Sequence, residues 1–364
     1  MKPYIPDKLP IGLINWAQHV PAIGKAHDAI GRYDGMLQSI VNPNLLLSPL
    51  TTQEAVLSSK IEESQATLED VLEFDADPTE ILEDRKYADI MEVINYRKSI
   101  AYATHKLNTH PISLNFIKEI HAILLDSVRG RNKNPGEFRR VQNYIGVYGT
   151  SIEQASFVPP SPELVMPSLD NWEKYIHFDE IDVLVQLAIV KAQFEIIHPF
   201  LDGNGRIGRL LIPLFLYAKK TLSSPMFYLS SYLESNRDIY YQKLRAVSES
   251  KDWNGWISFF LQAIIEQAGM NIAKTRNIQA LYEKAKMQIP EITNSQFAIN
   301  ATDALFAAPI LTTASFIKNS GIQKASAVRI ISKLRNHGMI IEIRKPKGRR
   351  SARYLFKELF EIVS

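Results

Sequence analysis

The chain has 364 residues, 46% hydrophobic and 22% charged, with a formal net charge of +3 and no cysteine. Such bulk fits a globular protein of about two or three domains, and the small net charge excludes overall electrostatics as the sign of a nucleic-acid or membrane-surface partner. Without cysteine there is no disulfide framework, no thiolate metal site and no thiol nucleophile.

The N-terminus, Met1-Lys-Pro-Tyr-Ile-Pro-Asp-Lys8, has no apolar signal core, and no apolar run reaches membrane-span length, so a soluble, cytoplasmic protein is expected. Residues 1–50 read as an irregular arm with one helix near 22–40. Leu50-Thr-Thr-Gln-Glu-Ala55 opens the first clear helix, with Thr51 or Thr52 as cap and Glu54 in its first turn, and it runs to about Gln65. Thr67, followed by Asp70, restarts helix. Further helices are expected at about 79–105 and 113–127. Residues 130–163 change character: Val141–Gly149 and Ala155–Val158 read as two short strands around a turn, and Pro159-Pro-Ser-Pro162 ends the hairpin and opens the next helix.

Asp182–Ile197 is apolar on almost every face, which predicts a central buried helix. A second starts near Gly205 and carries Pro213, an expected kink. Helices continue to about 265. From about 290 the pattern changes. Thr312–Lys318 and Ser326–Asn336 read as helices around an Asn319-Ser-Gly321 turn, and Met339–Ile343 with Arg353–Phe356 as a hairpin, together a winged-helix pattern. Lys324, Arg329, Lys333 and Arg335 fall on or near its second helix. Arg344, Lys345, Lys347, Arg349, Arg350 and Arg353 crowd the hairpin. Two readings stay open, a duplex-DNA surface and a basic face of an interaction or dimerisation module.

The chemistry concentrates in His198-Pro-Phe-Leu-Asp-Gly-Asn-Gly-Arg-Ile-Gly-Arg209. Pro199 disfavours helix at His198, and Asp202-Gly-Asn-Gly205 demands a tight turn before helix resumes. The N-terminus of the second helix offers free N–H groups and a positive dipole end to an anion, and glycines let phosphate oxygens approach. Arg206 and Arg209 share a helix face suited to a polyphosphate. Asp202 supplies a hard oxygen for Mg²⁺, and His198 is the group able to take a proton near neutral pH. Together they describe phosphoryl or nucleotidyl transfer. Gly203–Gly208 also matches G-x-G-x-x-G, but the apolar run before it is too long for a strand and helix follows it, which argues against a dinucleotide fold.

This segment resembles the Fic motif, H-x-F-x-[D/E]-G-N-G-R-x-x-R, at every defined position, and the likeness extends over about residues 40–265. The resemblance implies that His198 deprotonates a target hydroxyl and Asp202 holds Mg²⁺. It also implies that Gly203, Asn204 and Gly205 form the anion hole, that Arg206 and Arg209 hold the β- and γ-phosphates, and that Phe200 anchors the loop. Glycine at 205, where the phosphorylating Doc proteins carry lysine, implies AMP transfer from ATP. The hairpin ending in Phe157-Val-Pro-Pro160 resembles the family's flap, which docks the target segment. Tyr240 and Tyr241 resemble a pair placed near adenine, though two core tyrosines read equally well.

Leu57-Ser-Ser-Lys-Ile-Glu-Glu-Ser64 resembles the family's inhibitory motif, [S/T]-x-x-x-E-[G/N], carried N-terminal to the catalytic core. The resemblance implies that Glu62, with Ser58 one turn earlier, pairs with Arg209 and competes with the γ-phosphate. Glu63 departs from the motif, standing where Gly or Asn is usual; the shifted reading, Ser59 with Glu63, fits the flanking pattern less well.

The expected protein is therefore mainly α: a Fic helical core with a β-hairpin flap, plus a C-terminal winged-helix domain. Residues 1–105 form an arm and helical region with the inhibitory helix at about 52–65, residues 106–270 the catalytic core, 271–290 a helical linker and 291–364 the winged helix. The expected activity is a Mg²⁺- and ATP-dependent protein adenylyltransferase acting on a Tyr, Thr or Ser hydroxyl of an unknown protein target and of itself, restrained by Glu62. The alternative is a DNA-binding transcriptional regulator with a nucleotide-sensing Fic core. Duplex DNA and a homodimer stay open as partners, and no membrane is expected.

Overall fold

A computed structural model describes residues 2–126, 131–146, 151–346 and 350–364. The helices in chain order are α1 (Trp16–Ser39), α2 (Pro43–Leu46), α3 (Ser48–Ile61), α4 (Leu68–Ala76), α5 (Asp84–Leu107), α6 (Leu114–Leu124), α7 (Pro162–Ile176) and α8 (Val183–Ile197). They continue with α9 (Asn204–Ala218), α10 (Ser230–Ser235), α11 (Arg237–Ser250), α12 (Trp253–Thr293) and α13 (Ala298–Ala307). The remainder runs β1 (Ile310–Leu311), α14 (Thr313–Ser320), α15 (Lys324–Asn336), β2 (Ile341–Arg344), β3 (Arg353–Leu355) and α16 (Lys357–Val363). Among the described residues no helix is long and apolar enough to cross a membrane.

The contacts separate two compact units. The first comprises residues 1–34, 57–63 and 95–269, the second 35–56, 64–94 and 270–364. The first is built around α8. Asp182 caps it by accepting from the Leu184 and Val185 amides, and Leu184–Ile197 are all buried. That is what an all-round apolar helix requires, since each aliphatic side chain buried is worth about 1.5–3 kcal/mol relative to exposure. Helices α7 and α9 flank α8, and Trp172 and Trp256 each send an indole N–H to one of its carbonyls, those of Val190 and Ala188. Helix α9 is one element through Pro213.

In the second unit, α13, β1, α14, α15, β2 and β3 follow one another, and the three strands form an antiparallel sheet in the order β1-β3-β2. Thr312 and Ser315 make a capping box for α14, and the Thr312 hydroxyl also donates to the Ala76 carbonyl of α4. The basic hairpin is not all open to solvent. Arg344 pairs with Glu80 and Asp77, and Arg353, 3% exposed, pairs with Glu73 and Glu80. Lys347 and Arg349 lie outside the described residues.

Several boundaries differ from the sequence reading. Thr51 and Thr52 do not cap α3: the Leu47 carbonyl accepts from the Leu50 and Thr51 amides, so the helix is already under way at Ser48. The same helix stops at Ile61 rather than near Gln65, because Glu63 takes a left-handed φ of 69°. Helix α5 starts at Asp84, not 79, and Glu80 serves the two arginines instead. The strands expected at 141–149 and 155–158 reduce, among the described residues, to one antiparallel bridge between Ile145 and Phe157. Gln142 and Asn143 spend their side-chain donors on loop carbonyls, those of Pro159 and Phe200. Residues 147–150 lie outside the described set. The capping box of Thr67 with Asp70 is present, as read.

Candidate active site

Helix α8 ends where Pro199 forbids its continuation, and His198 turns into the left-handed region at φ 48°, ψ 59°. The chain then doubles back around Phe200, which is fully buried and stacks on His121 with ring centroids 3.6 Å apart. Asn204 closes the loop: its Oδ1 accepts from the Phe200 amide and its Nδ2 donates to the Phe200 carbonyl, both at 2.9 Å. Gly203 takes a left-handed φ of 77°, and α9 begins with no side-chain cap on its first amides. An uncapped helix N-terminus inside a protein calls for an anion.

The carboxylate beside this helix start is that of Glu62. A Cβ added at Gly205 would lie 2.1 Å from Glu62 Oε1 and 3.0 Å from Arg209 Nη1, so the carboxylate rests against the glycine backbone. Glu62 Oε1 accepts from Arg209 Nη2 at 2.7 Å, while Ser58 Oγ and the Ser58 carbonyl take Arg209 Nε and Nη2, each at 2.8 Å. Arg209 is 1% exposed and Glu62 about a third exposed, at 34%. Burial works to raise the Glu62 carboxyl, but the Arg209 guanidinium, helped by Arg206 and His198, outweighs it and holds the group below the usual carboxylate range. Arg209 Nη1 is buried with no hydrogen-bond partner among the described residues, a donor left for a further anionic oxygen. Glu63 stands apart. Its carboxylate is 3.8 Å from Arg237. Its left-handed backbone accounts for a motif that prefers Gly or Asn there.

His198 Nδ1 is 3.3 Å from the Glu195 carbonyl, which can only accept, so the proton sits on Nδ1 and Nε2 carries the lone pair. Burial pushes its pKa down, against the Glu195 carbonyl and the Glu62 charge, keeping the ring neutral and able to act as a base. Asp202 is 46% exposed on its side chain. Its Oδ1 accepts from the Gly203 amide and, at 3.3 Å, from Arg206 Nη2. Among the described residues no group of three His, Cys, Asp or Glu could hold a metal. A lone, half-exposed carboxylate fits a Mg²⁺ that completes its shell with phosphate oxygens and water.

Glu62, His198, Gly205 and Arg209 face a cavity of about 970 Å³ lined also by Ile145, Phe157, Arg237, Tyr240 and Tyr241, a size typical of ligand sites. Tyr241 faces it with the Arg237 guanidinium 5.9 Å above its ring. Tyr240, 1% exposed, is held from behind: its hydroxyl donates to Glu195 Oε2 and accepts from Lys191 Nζ, which also pairs with Glu195 Oε1 at 2.8 Å. Of the residues the sequence pointed to, His198, Gly205, Arg209, Glu62, Tyr240 and Tyr241 line the cavity, whereas Ser58, Asp202, Gly203, Asn204 and Arg206 are not among its lining residues. Ser58 reaches Arg209 from α3, and Asp202 and Arg206 adjoin through their own contact.

Four contributing residues were not read from the sequence. Lys191 and Glu195, spaced one turn apart, were a visible signal within an otherwise apolar helix. His121 was not: its Nε2 donates to the Asp202 carbonyl and its Nδ1 accepts from the Gly136 amide, so it props the loop as a neutral ring whose pKa burial lowers to about 4. Arg139, from the segment before the flap, donates to the His198 carbonyl at 2.9 Å. Nothing local marks either residue.

Two family models match the chain. One, described as Fic/DOC family N-terminal, covers residues 20–105, and the other, described as Fic/DOC family, covers residues 111–216. A probable protein adenylyltransferase of Aquifex aeolicus is 29% identical over 206 residues, 56% of this chain and 57% of that protein. The protein adenylyltransferase Fic of Drosophila virilis is 33% identical over 111 residues, 29% of this chain and 20% of that protein. The chain therefore spans little more than half of the first relative's length and a fifth of the second's. A crystal structure of a Fic family protein from Desulfovibrio desulfuricans G20 superposes with a TM-score of 0.60 at 19% identity, covering 98% of both chains. At that identity the likeness speaks for the fold alone.

Proposed function

The chain belongs to the Fic/DOC family, and from that premise we propose that it is a protein adenylyltransferase held in check by Glu62. The observation that carries the reading is His198, its pKa lowered by burial, beside an uncapped helix start where the Glu62 carboxylate already takes an Arg209 donor. In the reaction, His198 Nε2 takes the proton of a Tyr, Thr or Ser hydroxyl as its oxygen attacks the α-phosphorus of ATP. A new P–O bond forms, the bond from the α-phosphorus to the bridging oxygen breaks, and pyrophosphate leaves. Arg206, Arg209 and the first amides of α9 hold the departing phosphates, and Gly203, Asn204 and Gly205 shape the hole around them. Mg²⁺, when bound at Asp202, neutralises phosphate charge. Tyr240 and Tyr241 offer an aromatic wall to the purine, with Tyr240 fixed by Lys191 and Glu195.

Glycine at 205 supports AMP transfer, because the phosphorylating Doc proteins carry lysine there. Glu62 acts as the brake by taking the Arg209 donor that the γ-phosphate needs. The bridge of Ile145 with Phe157 lies at the rim of the cavity and serves as the target-docking flap.

The order of helices and strands over 298–355, with sheet order β1-β3-β2, supports a winged-helix reading of the C-terminal segment. A DNA-binding regulator is not favoured. Arg344 and Arg353 of the hairpin are engaged by carboxylates rather than open to phosphate, and the relatives are named as adenylyltransferases. Neither duplex DNA nor a second copy is proposed as a partner.

Mass spectrometry of the Glu62→Gly protein incubated with Mg-ATP tests the reading. One added AMP on a hydroxyl residue is the expected result; an added bare phosphate overturns it.

A further inference from the structure

We propose that Arg139 is a positioning residue that locks the base His198 and both ends of the flap into one unit; the proposal rests on the transferase reading above. Helix α8 stops at Ile197, so the carbonyls that follow have no partner within the helix. Four consecutive ones find donors in a single segment. Arg139 Nη2 reaches the Ile197 carbonyl at 3.4 Å, Arg139 Nε that of His198 at 2.9 Å, and the Arg139 amide that of Pro199 at 2.8 Å. Asn143 Nδ2 takes the Phe200 carbonyl at 3.1 Å.

The same guanidinium also binds where the flap leaves and where it returns. Nη1 donates to the Val141 carbonyl at 3.2 Å, and Nη2 to that of Pro160. Between those two residues lies the bridge of Ile145 with Phe157 at the cavity rim. One side chain therefore fastens the turn that holds the base and the two roots of the segment that would hold the target.

The arrangement carries a cost that plain packing would avoid. Arg139 is 3% exposed, and no carboxylate pairs with it among the described residues. Burial lowers its pKa to about 10, which leaves it charged at neutral pH with only carbonyl dipoles around it. His198 meanwhile sits in a left-handed conformation that a residue with a Cβ keeps only when its surroundings impose it. The guanidinium fork serves four carbonyls here, those of Val141, Pro160, Ile197 and His198, whereas an ammonium carries only three N–H donors on a single atom. The phosphate contacts of α9 and Arg209 use none of these bonds, so Arg139 bears on the base and the target rather than on the nucleotide.

The test uses the Glu62→Gly protein as parent, with Arg139→Lys and Arg139→Ala added separately. Calorimetry gives ATP affinity, AMP incorporation gives kcat and target KM, and hydrogen exchange follows residues 141–146, 156–160 and 195–201. The expected result is ATP affinity within about two-fold of the parent, kcat lower by about 10²-fold, and faster exchange in those three stretches while α9 keeps its protection. Methylguanidine should restore part of the kcat of Arg139→Ala. If ATP affinity and kcat instead fall together in Arg139→Lys, or exchange is unchanged, the proposal is wrong. Should Arg139→Ala not fold, Arg139→Lys alone decides on the same readouts. A parent that transfers no AMP sinks the transferase reading, and the exchange data still decide whether Arg139 joins loop and flap.

Discussion

Replacing Glu62 by glycine removes the carboxylate from the cradle and frees Arg209 Nη2, whose other partner, the Ser58 carbonyl, stays. A hydrogen bond to a charged group is worth about 1.5–3 kcal/mol. Because about a third of the Glu62 side chain meets solvent, at 34%, the lower part of that range applies, about 1.5–2 kcal/mol. At 1.4 kcal/mol per decade this is a gain of about 10- to 30-fold in AMP transfer at subsaturating ATP. The assay is incorporation of label from α-labelled ATP into the protein itself, compared at equal protein and Mg²⁺. Glu62→Gln separates the causes. Its amide oxygen can still accept from Arg209 but carries no charge, so its rate should fall between wild type and glycine. Equal rates for wild type and Glu62→Gly would refute the brake, since the carboxylate would then cost the substrate nothing.

Three further outcomes follow from the site. His198→Ala in the Glu62→Gly protein should lower kcat by about 10²–10⁴-fold with ATP affinity retained, measured by single-turnover kinetics and calorimetry. His121 contributes a pH dependence. Its folded pKa of about 4 lies below the ordinary 6.5, so between these values the unfolded chain takes up a proton that the folded one refuses. Stability should therefore be full above about 6.5 and fall by up to about 3 kcal/mol as pH drops to about 4, a fall that denaturant melts should find much reduced in His121→Asn. Gly208→Ala should cost about 1–3 kcal/mol by overpacking, read as a lower Tm. The new Cβ would lie 2.8 Å from Glu195 Oε1, and Lys191 and Tyr240 keep that carboxylate from yielding.

The loop from His198 to Arg209 was legible because its constraints are local. Proline stops a helix, glycines permit the turn, and the next helix must start beside them. The central helix was legible from its largely apolar character, and the i, i+4 pair Lys191 and Glu195 stood out against it, but that the two satisfy one another in the interior shows only in the fold. The segment around Glu62 was readable as a pattern but not as a shape. Where α3 ends depends on the left-handed turn at Glu63, and where it begins depends on the Leu47 carbonyl. Arg139 and His121 were out of reach for another reason. Their partners lie 59 and 81 positions away, and such pairings exist only once the chain has folded.

The carboxylate lodged against Gly205 has a consequence for the company the site keeps. A side chain on a short tether competes at an effective concentration of the order of millimolar. On the proposed reading, free phosphate and other small anions must displace it from Arg209 before they can settle there, and a single such anion gains too few contacts to do so. A nucleoside triphosphate spreads its binding over the cavity and can. If Glu62 is the proposed brake, the resting site is screened from simple anions by one of its own residues, and released pyrophosphate meets a doorway that closes behind it.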